Sequence, residues 1–349
     1  VGLALLTFVM SLGFDLPAAL SPLMQSLSEG LAEVERVFDA QLSSDLPPVA
    51  RLVVHVERYR GKMLRPTLTI LSGMAARPDA PVGDKHFAAG AVVEMIHMAT
   101  LVHDDVLDEA DTRRRGLTVN RLHGNEAAVI LGDYMIAAAY HLCSSRVGEE
   151  AAIAVGKASM VVASGELLQL HHRDDFSLDE PTYREIVARK TGELIAASAW
   201  LGAWCSGADP ATALALREFA MDLGVAFQIQ DDLLDLTGEA DVVGKPVAKD
   251  LEKGKLTLPL IHHLASAGHE ERRRLIAMLT EAASGDDAAI ARVRGSVRGT
   301  LEASGSVEHA RKTARALVER AKDRIATLPD SGAATMLRAM ADAVVTRSY

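Results

Sequence analysis

The sequence predicts an all-helical protein, on three observations. Ala, Leu, Val and Met dominate a chain that is 49% hydrophobic but only 4% aromatic, and all of these but Val lose little rotamer freedom in a helix. Helix starts are written as caps: Ser177 stands three residues before Glu180 and ahead of Pro181, and Asp209 directly precedes Pro210. No stretch alternates apolar and polar residues as a half-buried strand does, and no glycine-rich phosphate loop follows a strand, so doubly wound nucleotide-binding folds fit poorly. A chain of 349 residues holds one large domain or two ordinary ones. Without a shift in composition, the expectation is a single bundle over residues 21–349, of about ten or more helices.

The elements follow in order. VGLALLTFVMSLGF is uncharged until Asp15, too short to span a bilayer and without a basic leader, so residues 1–20 read as an N-terminal extension. Breaks fall at Asp45–Pro48, at residues 76–84, at the Arg-rich residues 111–116 and at residues 236–255. The runs between them have ordinary helical length, and none is expected to cross a membrane. Cys143 and Cys205 sit far apart in apolar segments, which suits core packing and not a disulfide or thiolate metal site. A formal net charge of -10 disfavours a nucleic-acid partner. The expected compartment is cytoplasmic.

Chemistry concentrates in two places. The apolar run AAGAVVEMIHMATLV, residues 88–102, ends in HDDVLDEADTRRRG, and FQIQDDLLDLTG, residues 227–238, repeats Asp-Asp-x-x-Asp after another apolar run. One such motif on an exposed helix is commonplace; two at the ends of buried helices are not. Residues i and i+4 lie one above the other on a helix, so Asp104 and Asp108 project together; the same geometry holds for Asp231, Asp232 and Asp235, with Gln228 one turn earlier on that face. Holding like charges together is costly unless a cation lies between them, and hard carboxylate oxygens select Mg2+ or Mn2+ over zinc or copper. Too few ligands are present to saturate several such ions, which complete their octahedra with water and phosphate oxygens. A phosphorylated substrate follows, and Arg114 and Arg115 have the planar forks to take the phosphate oxygens the metals leave. Lys62 and Arg65 in GKMLRP, Lys190 in RKTG, and Lys245 and Lys255 are further phosphate candidates. His97 lies seven residues before Asp104, on the same face and two turns deeper. The pairs His171–His172 and His262–His263 lack acidic or Cys partners at metal spacing and read as structural.

The series GKMLRP (61–66), EMIHMATLVHDDVLD (94–108), DTRRRG (111–116), GNEAAVILGD (124–133), GELLQL (165–170), RKTGEL (189–194), FQIQDDLLD (227–235) and GKPVAKDLEKGKLTLPL (244–260) resembles, in this order, the trans-isoprenyl diphosphate synthases, or polyprenyl synthetases. The departure is at Arg60 and Met63, where the family more often reads Gly-Gly-Lys-Arg; Lys62 and Arg65 are kept. The resemblance implies an isoprenoid-synthase-type helical bundle around a deep central cleft, usually a homodimer, that elongates an allylic diphosphate with isopentenyl diphosphate. It assigns Asp104, Asp108 and Asp231 as metal ligands, with Asp105, Asp232 and Asp235 as neighbouring or water-mediated partners of several Mg2+ ions. Arg114, Lys190, Gln228 and Lys245, with Thr191 beside Lys190, are implied to hold the allylic diphosphate. Lys62, Arg65, His97 and Arg115 are implied to hold isopentenyl diphosphate, and closure of the loop bearing Lys245 and Lys255 to exclude water.

Two other classes compete. A class I terpene cyclase shares the fold and one Asp-rich motif, but its second motif normally mixes Asn, Ser or Thr with Glu, and it leaves Lys62, Arg65 and Arg115 without a second diphosphate. A non-catalytic subunit of a heteromeric synthase tolerates loss of the acidic motifs, yet both are complete. Ala99 and Thr100, about one turn before Asp104, are small. In the family, bulky aromatics there stop chain growth early, so the expected product is longer than geranylgeranyl diphosphate.

Overall fold

A computed structural model describes residues 21–56, 61–113, 116–237, 250, 253–284 and 287–346, with side chains described except at 283–284 and 287–291. The all-helical expectation holds. In chain order the helices are α1 (Ser21–Leu42), α2 (Pro47–Val56), α3 (Leu64–Ala76), α4 (Asp84–Leu107), α5 (Val119–His123), α6 (Asn125–Leu142), α7 (Glu149–His171), α8 (Glu180–Val187), α9 (Glu193–Cys205) and α10 (Pro210–Thr237). They continue with α11 (Leu258–Ser266), α12 (His269–Ser284), α13 (Asp287–Ala303), α14 (Ser306–Arg324) and α15 (Gly332–Thr346). The one departure among the described residues is a minimal antiparallel pair, β1 (Thr112–Arg113) with β2 (Gly116–Leu117).

The chain forms two compact units. One comprises the described residues up to Met160 with Leu194–Glu218 and Ile325–Arg338; the other comprises Val161–Glu193, Phe219–Arg324 and the residues from Ala339 on.

At the centre of the first unit is α4, apolar on every side: Ala88, Ala89, Ala91, Val92, Val93, Met95, Ile96, Met98, Ala99 and Val102 are all buried. A helix apolar all round belongs in a core, and α1, α3 and α6 pack about this one. Helix α1 presents the complementary stripe, Leu27, Leu31, Val34, Phe38 and Leu42, at intervals of three and four residues. Backbones approach closely where glycines permit. A Cβ on Gly202 of α9 would lie 1.9 Å from the Thr69 carbonyl oxygen of α3, and one on Gly132 of α6 would lie 2.1 Å from His103 Nε2 of α4.

In the second unit α11 packs on α14 and α8, and α12 and α13 form a pair. Arg320 of α14 grips the buried Asp222 of α10 through Nε at 2.8 Å and Nη2 at 2.6 Å. Helices α6 and α8 each run on into a π turn, Cys143–Val147 and Ala188–Gly192. Such turns insert an extra residue into the helix and recur at functional sites; the second contains Lys190 and Thr191.

Of the two cap expectations, Asp209 holds: its Oδ1 accepts the N–H groups of Ala211 and Thr212, each at 3.0 Å. The other is corrected. The cap of α8 is Asp179, which accepts from Thr182 N at 2.9 Å, because Asp175 Oδ1 takes the N–H of Ser177 at 2.9 Å and draws it into a separate turn. Residues 1–20, the expected extension, lie outside the described residues. Asn125–Val147 and Glu149–His171 are long and apolar enough to cross a membrane by length and composition, against expectation; core helices of water-soluble proteins share that property.

Candidate active site

The first acidic motif closes α4. Asp108 is its C-cap and donates its N–H to Asp104 O at 2.8 Å, so the i, i+4 relation inferred from spacing survives at the helix end. Asp104 and Asp108 are partly exposed. Asp105 is only 1% exposed, and one of its oxygens, Oδ1, accepts from Arg113 Nε at 2.8 Å and Nη2 at 2.7 Å. Its other oxygen, Oδ2, is buried with no hydrogen-bond partner among the described residues. Asn120 fastens the turn that follows by donating to the carbonyls of Asp105 and Ala110 at 3.2 and 3.3 Å. The first of the three arginines therefore serves the protein; Arg114 and Arg115 lie outside the described residues.

At the start of α3, Arg65 is desolvated and its pKa falls to about 10, partly offset by the buried Glu94 of α4, one turn before His97. The guanidinium remains charged at neutral pH, and its Nε lacks a hydrogen-bond partner among the described residues. Lys62 is exposed and His97 half-buried. Met63, where the sequence departs from the family pattern, caps α3 with φ 52°, a left-handed conformation that costs a residue bearing a Cβ of order 1–3 kcal/mol.

The second unit contains a cavity of about 110 Å³, lined in part by Lys190, Thr191, Gln228, Asp232 and Lys255. These residues come from separate segments, and the sequence had singled out all five. The cavity wall also includes Gln169, His172, Arg173, Tyr183 and Asp250, which it had not. His172, read from sequence as structural, is thus a cavity residue, and its Nδ1 bonds Asp175 Oδ2 at 2.8 Å.

Polar groups in this wall form a chain. Thr191 Oγ1 donates to Gln228 Oε1 at 3.0 Å, Gln228 Nε2 donates to Asp232 Oδ1 at 2.8 Å, and the Tyr183 hydroxyl donates to Asp232 Oδ2 at 2.6 Å. Lys190 is ion-paired with Glu166 of α7. Gly165 makes room for that approach, since a Cβ there would lie 2.7 Å from the Lys190 backbone nitrogen. Asp231 and Asp235 are partly exposed, and Asp235 Oδ2 accepts the Asp250 N–H at 3.2 Å. Burial, then Asp250, pushes the Asp232 carboxyl well above the usual carboxylate range. Burial, then Asp235, pushes Asp250 up to about 6, against the pull of Lys255, Lys253 and Lys190. Carboxylates are crowded and buried here, which disfavours their charged forms. Lys245 lies outside the described residues.

A family model described as polyprenyl synthetase matches residues 47–295. The chain belongs to the polyprenyl synthetase family. It is a prenyltransferase, a polyprenyl diphosphate synthase. Among its relatives, the octaprenyl diphosphate synthase of Escherichia coli (strain K12) is 33% identical over 304 residues, 87% of this chain and 91% of that one. The crystal structure of a decaprenyl diphosphate synthase from Rhodobacter capsulatus superposes with a TM-score of 0.85 at 32% identity, covering 94% of this chain and 99% of the other. A polyprenyl synthase from Caulobacter crescentus, solved with calcium and isoprenyl diphosphate, gives 0.83 at 32% identity, covering 93% and 98%.

The donors of this polyprenyl synthetase fit a hard divalent cation. The partly exposed groups at both motifs are carboxylates, and among the described residues no three His, Cys, Asp or Glu side chains converge into a closed ligand set. An ion held by one or two carboxylates, finishing its shell with water and phosphate oxygens, is the usual Mg2+ arrangement.

Proposed function

We propose that residues 21–349 act as one catalytic domain that condenses an allylic diphosphate with isopentenyl diphosphate in trans geometry, giving a product longer than geranylgeranyl diphosphate. The observation that carries this reading is the shared form of the two acidic turns. In each, the middle aspartate is buried and bonded to the protein while its outer neighbours are partly exposed.

Asp104, Asp108 and Asp231 are the proposed ligands of Mg2+, with Mn2+ as a substitute, and Asp105, Asp232 and Asp235 are neighbouring or water-mediated partners. Bound with the allylic diphosphate, several such ions supply the charge neutralisation that lets diphosphate leave. Lys190 exchanges Glu166 for phosphate oxygens, joined by Arg114, Lys245 and the amide of Gln228, which Thr191 fixes. Lys62, Arg65, His97 and Arg115 hold isopentenyl diphosphate without metal, and Arg65 has a buried donor ready for it. Lys255 supplies further positive charge in the cavity wall. As the allylic C–O bond ionises, the double bond of isopentenyl diphosphate attacks the cation and a proton is lost, with the released diphosphate as base.

The two diphosphates occupy different cationic pockets, so mutation should separate them. Lys190→Ala is expected to weaken binding of the allylic diphosphate, and Arg65→Ala that of isopentenyl diphosphate. Each effect should be about tenfold or more, given roughly 1.5–3 kcal/mol for a hydrogen bond to a charged group. Calorimetric titration of each variant with each ligand reads this directly; equal losses for both ligands would mean one shared pocket.

Product length rests on α4. Ala99 is fully buried and Thr100 half-buried, and the larger Met95 and Ile96, one turn earlier on α4, are buried as well. Octaprenyl and decaprenyl synthases stand among the relatives beside short-chain and geranylgeranyl synthases, so the assignment rests on the small residues of α4. Chromatography of products from farnesyl diphosphate, excess isopentenyl diphosphate and Mg2+, using the purified chain alone, tests the whole proposal. Wild type should pass geranylgeranyl length and Ala99→Phe should stop earlier. A wild-type product ending at geranylgeranyl defeats the length assignment, cyclic hydrocarbon from an allylic diphosphate alone favours a terpene cyclase, and inactivity points to a subunit that needs a partner.

The proposed assembly is a cytoplasmic homodimer. Helices α6 and α7 leave apolar residues facing outward, Ile130 at 67% exposure on α6, Ile153 at 65% and Met160 at 72% on α7. Such side chains cluster where a surface is covered by a partner. Sedimentation showing a monomer at micromolar concentration would exclude the dimer.

A further inference from the structure

We propose that Tyr183 is a positioning residue for the second acidic motif, acting through Asp232. The inference rests on Asp231–Asp235 being the metal–diphosphate site proposed above, and it assigns a task to a residue that no motif points to.

Asp232 is 6% exposed and both of its oxygens are engaged, Oδ2 by the Tyr183 hydroxyl at 2.6 Å and Oδ1 by Gln228 Nε2 at 2.8 Å. It cannot turn toward a cation without breaking a buried hydrogen bond. Its immobility aims its neighbours. At about 100° per residue, Asp231 and Asp235 fall within roughly 40° of each other around α10, while Asp232 stands well to one side of both. A helix gripped at Asp232 is held at one rotation about its axis, and that rotation sets where the two outer carboxylates point. A metal site needs its ligands placed to within a few tenths of an ångström, and such placement comes from the groups behind them.

Tyr183 is suited to this by its own attachment. It is 4% exposed, with its ring packed in the wall of the cavity. It belongs to α8, which continues without a break into the π turn that carries Lys190 and Thr191. The same helical run therefore touches α10 twice, through Tyr183 at Asp232 and through Thr191 at Gln228, two positions one helical turn apart. The diphosphate-binding lysine and the metal-binding turn are thereby set in register with each other inside one unit, and the phenol is one of the two ties.

Tyr183→Phe removes the hydroxyl and keeps the ring, so the fold should persist with a slightly lower melting temperature. The test follows the rise in melting temperature produced by Mg2+ with inorganic diphosphate, alongside steady-state kinetics. The expected result is a Mg2+–diphosphate affinity and a kcat each reduced about tenfold, the upper scale of one buried hydrogen bond, with KM for isopentenyl diphosphate unchanged. In an Asp232→Asn background, adding Tyr183→Phe should change little further, because the tyrosine acts through that carboxylate. Unchanged Mg2+–diphosphate affinity in Tyr183→Phe, or full additivity with Asp232→Asn, would overturn the proposal. Asp231→Ala is the control. Should it leave the ligand-induced rise intact, the site assignment itself fails; should it abolish the rise while Tyr183→Phe preserves it, only the role of Tyr183 fails.

Discussion

Asp231→Ala and Asp104→Ala are each expected to lower turnover on the order of 10²–10³-fold, the loss typical of removing one group that stabilises developing negative charge. The metal-free proteins should melt at or slightly above the wild-type temperature. The outer aspartates are partly exposed members of like-charged clusters, so deleting one relieves repulsion without opening a core cavity. The rise in melting temperature on adding Mg2+ and diphosphate should shrink in both, because stabilisation by a ligand scales with its affinity for the folded state. Equal rises in wild type and variants, measured by scanning calorimetry, would refute the metal assignment. Asp232→Ala should behave in the opposite way. It strands the buried Tyr183 hydroxyl and removes the acceptor of the half-buried Gln228 amide, and so should lower stability even without metal, by roughly 1–3 kcal/mol for the stranded hydroxyl.

Gly202→Ala is expected to destabilise the protein by about 3 kcal/mol, the upper end of overpacking costs, although one methyl group is the smallest addition possible. The new Cβ would sit 1.9 Å from Thr69 O, 2.8 Å from Thr69 C and 3.1 Å from Gly73 N. Those neighbours are backbone, which cannot rotate away as a side chain can, so α9 must move off α3 and the buried surface around both helices opens. Thermal unfolding followed by circular dichroism should show a fall of several degrees, with residual activity tracking the folded fraction. Little change in melting temperature would mean that the two helices separate at small cost and that the contact contributes little. Gly207, with φ 67° and nothing near its Cβ position, makes the contrast: alanine there meets backbone strain but no collision.

These two outcomes divide what can be read along the chain from what cannot. The acidic motifs were legible because their chemistry is local: spacing of four residues aligns carboxylates on any helix, whatever packs behind it. Helix α4 was legible for the same reason, since a predominantly apolar run, broken only by Glu94, His97 and Thr100 and ending in three acids, reads as a core helix. Lys190, Thr191, Gln228 and Lys255 were found as residue types set among turn-forming or motif residues, and the structure gathers them with Asp232 around one cavity.

Tyr183 carried no such signal, and Glu166 and Asp250 stood inside quoted motifs with nothing to mark them individually. Each is unremarkable among its neighbours, and each matters through a partner far along the chain, Tyr183 through Asp232 and Glu166 through Lys190. The choice of cap at α8 was decided by competition, because Asp175 captured Ser177 and left Asp179 to the helix. The sequence by itself determined the helical class, the breaks before Pro47 and between Ala76 and Asp84, and the placing of two acidic motifs at the ends of apolar runs, since periodicity and charge spacing act over one or two helical turns. Only the tertiary structure decided that Asp105 and Asp232 turn inward, that Arg113 is spent on Asp105, and that Gly202 lies at a crossing. Those facts depend on which surfaces meet, and contacts between distant segments are set by the packing of whole helices, which no short stretch of residues encodes.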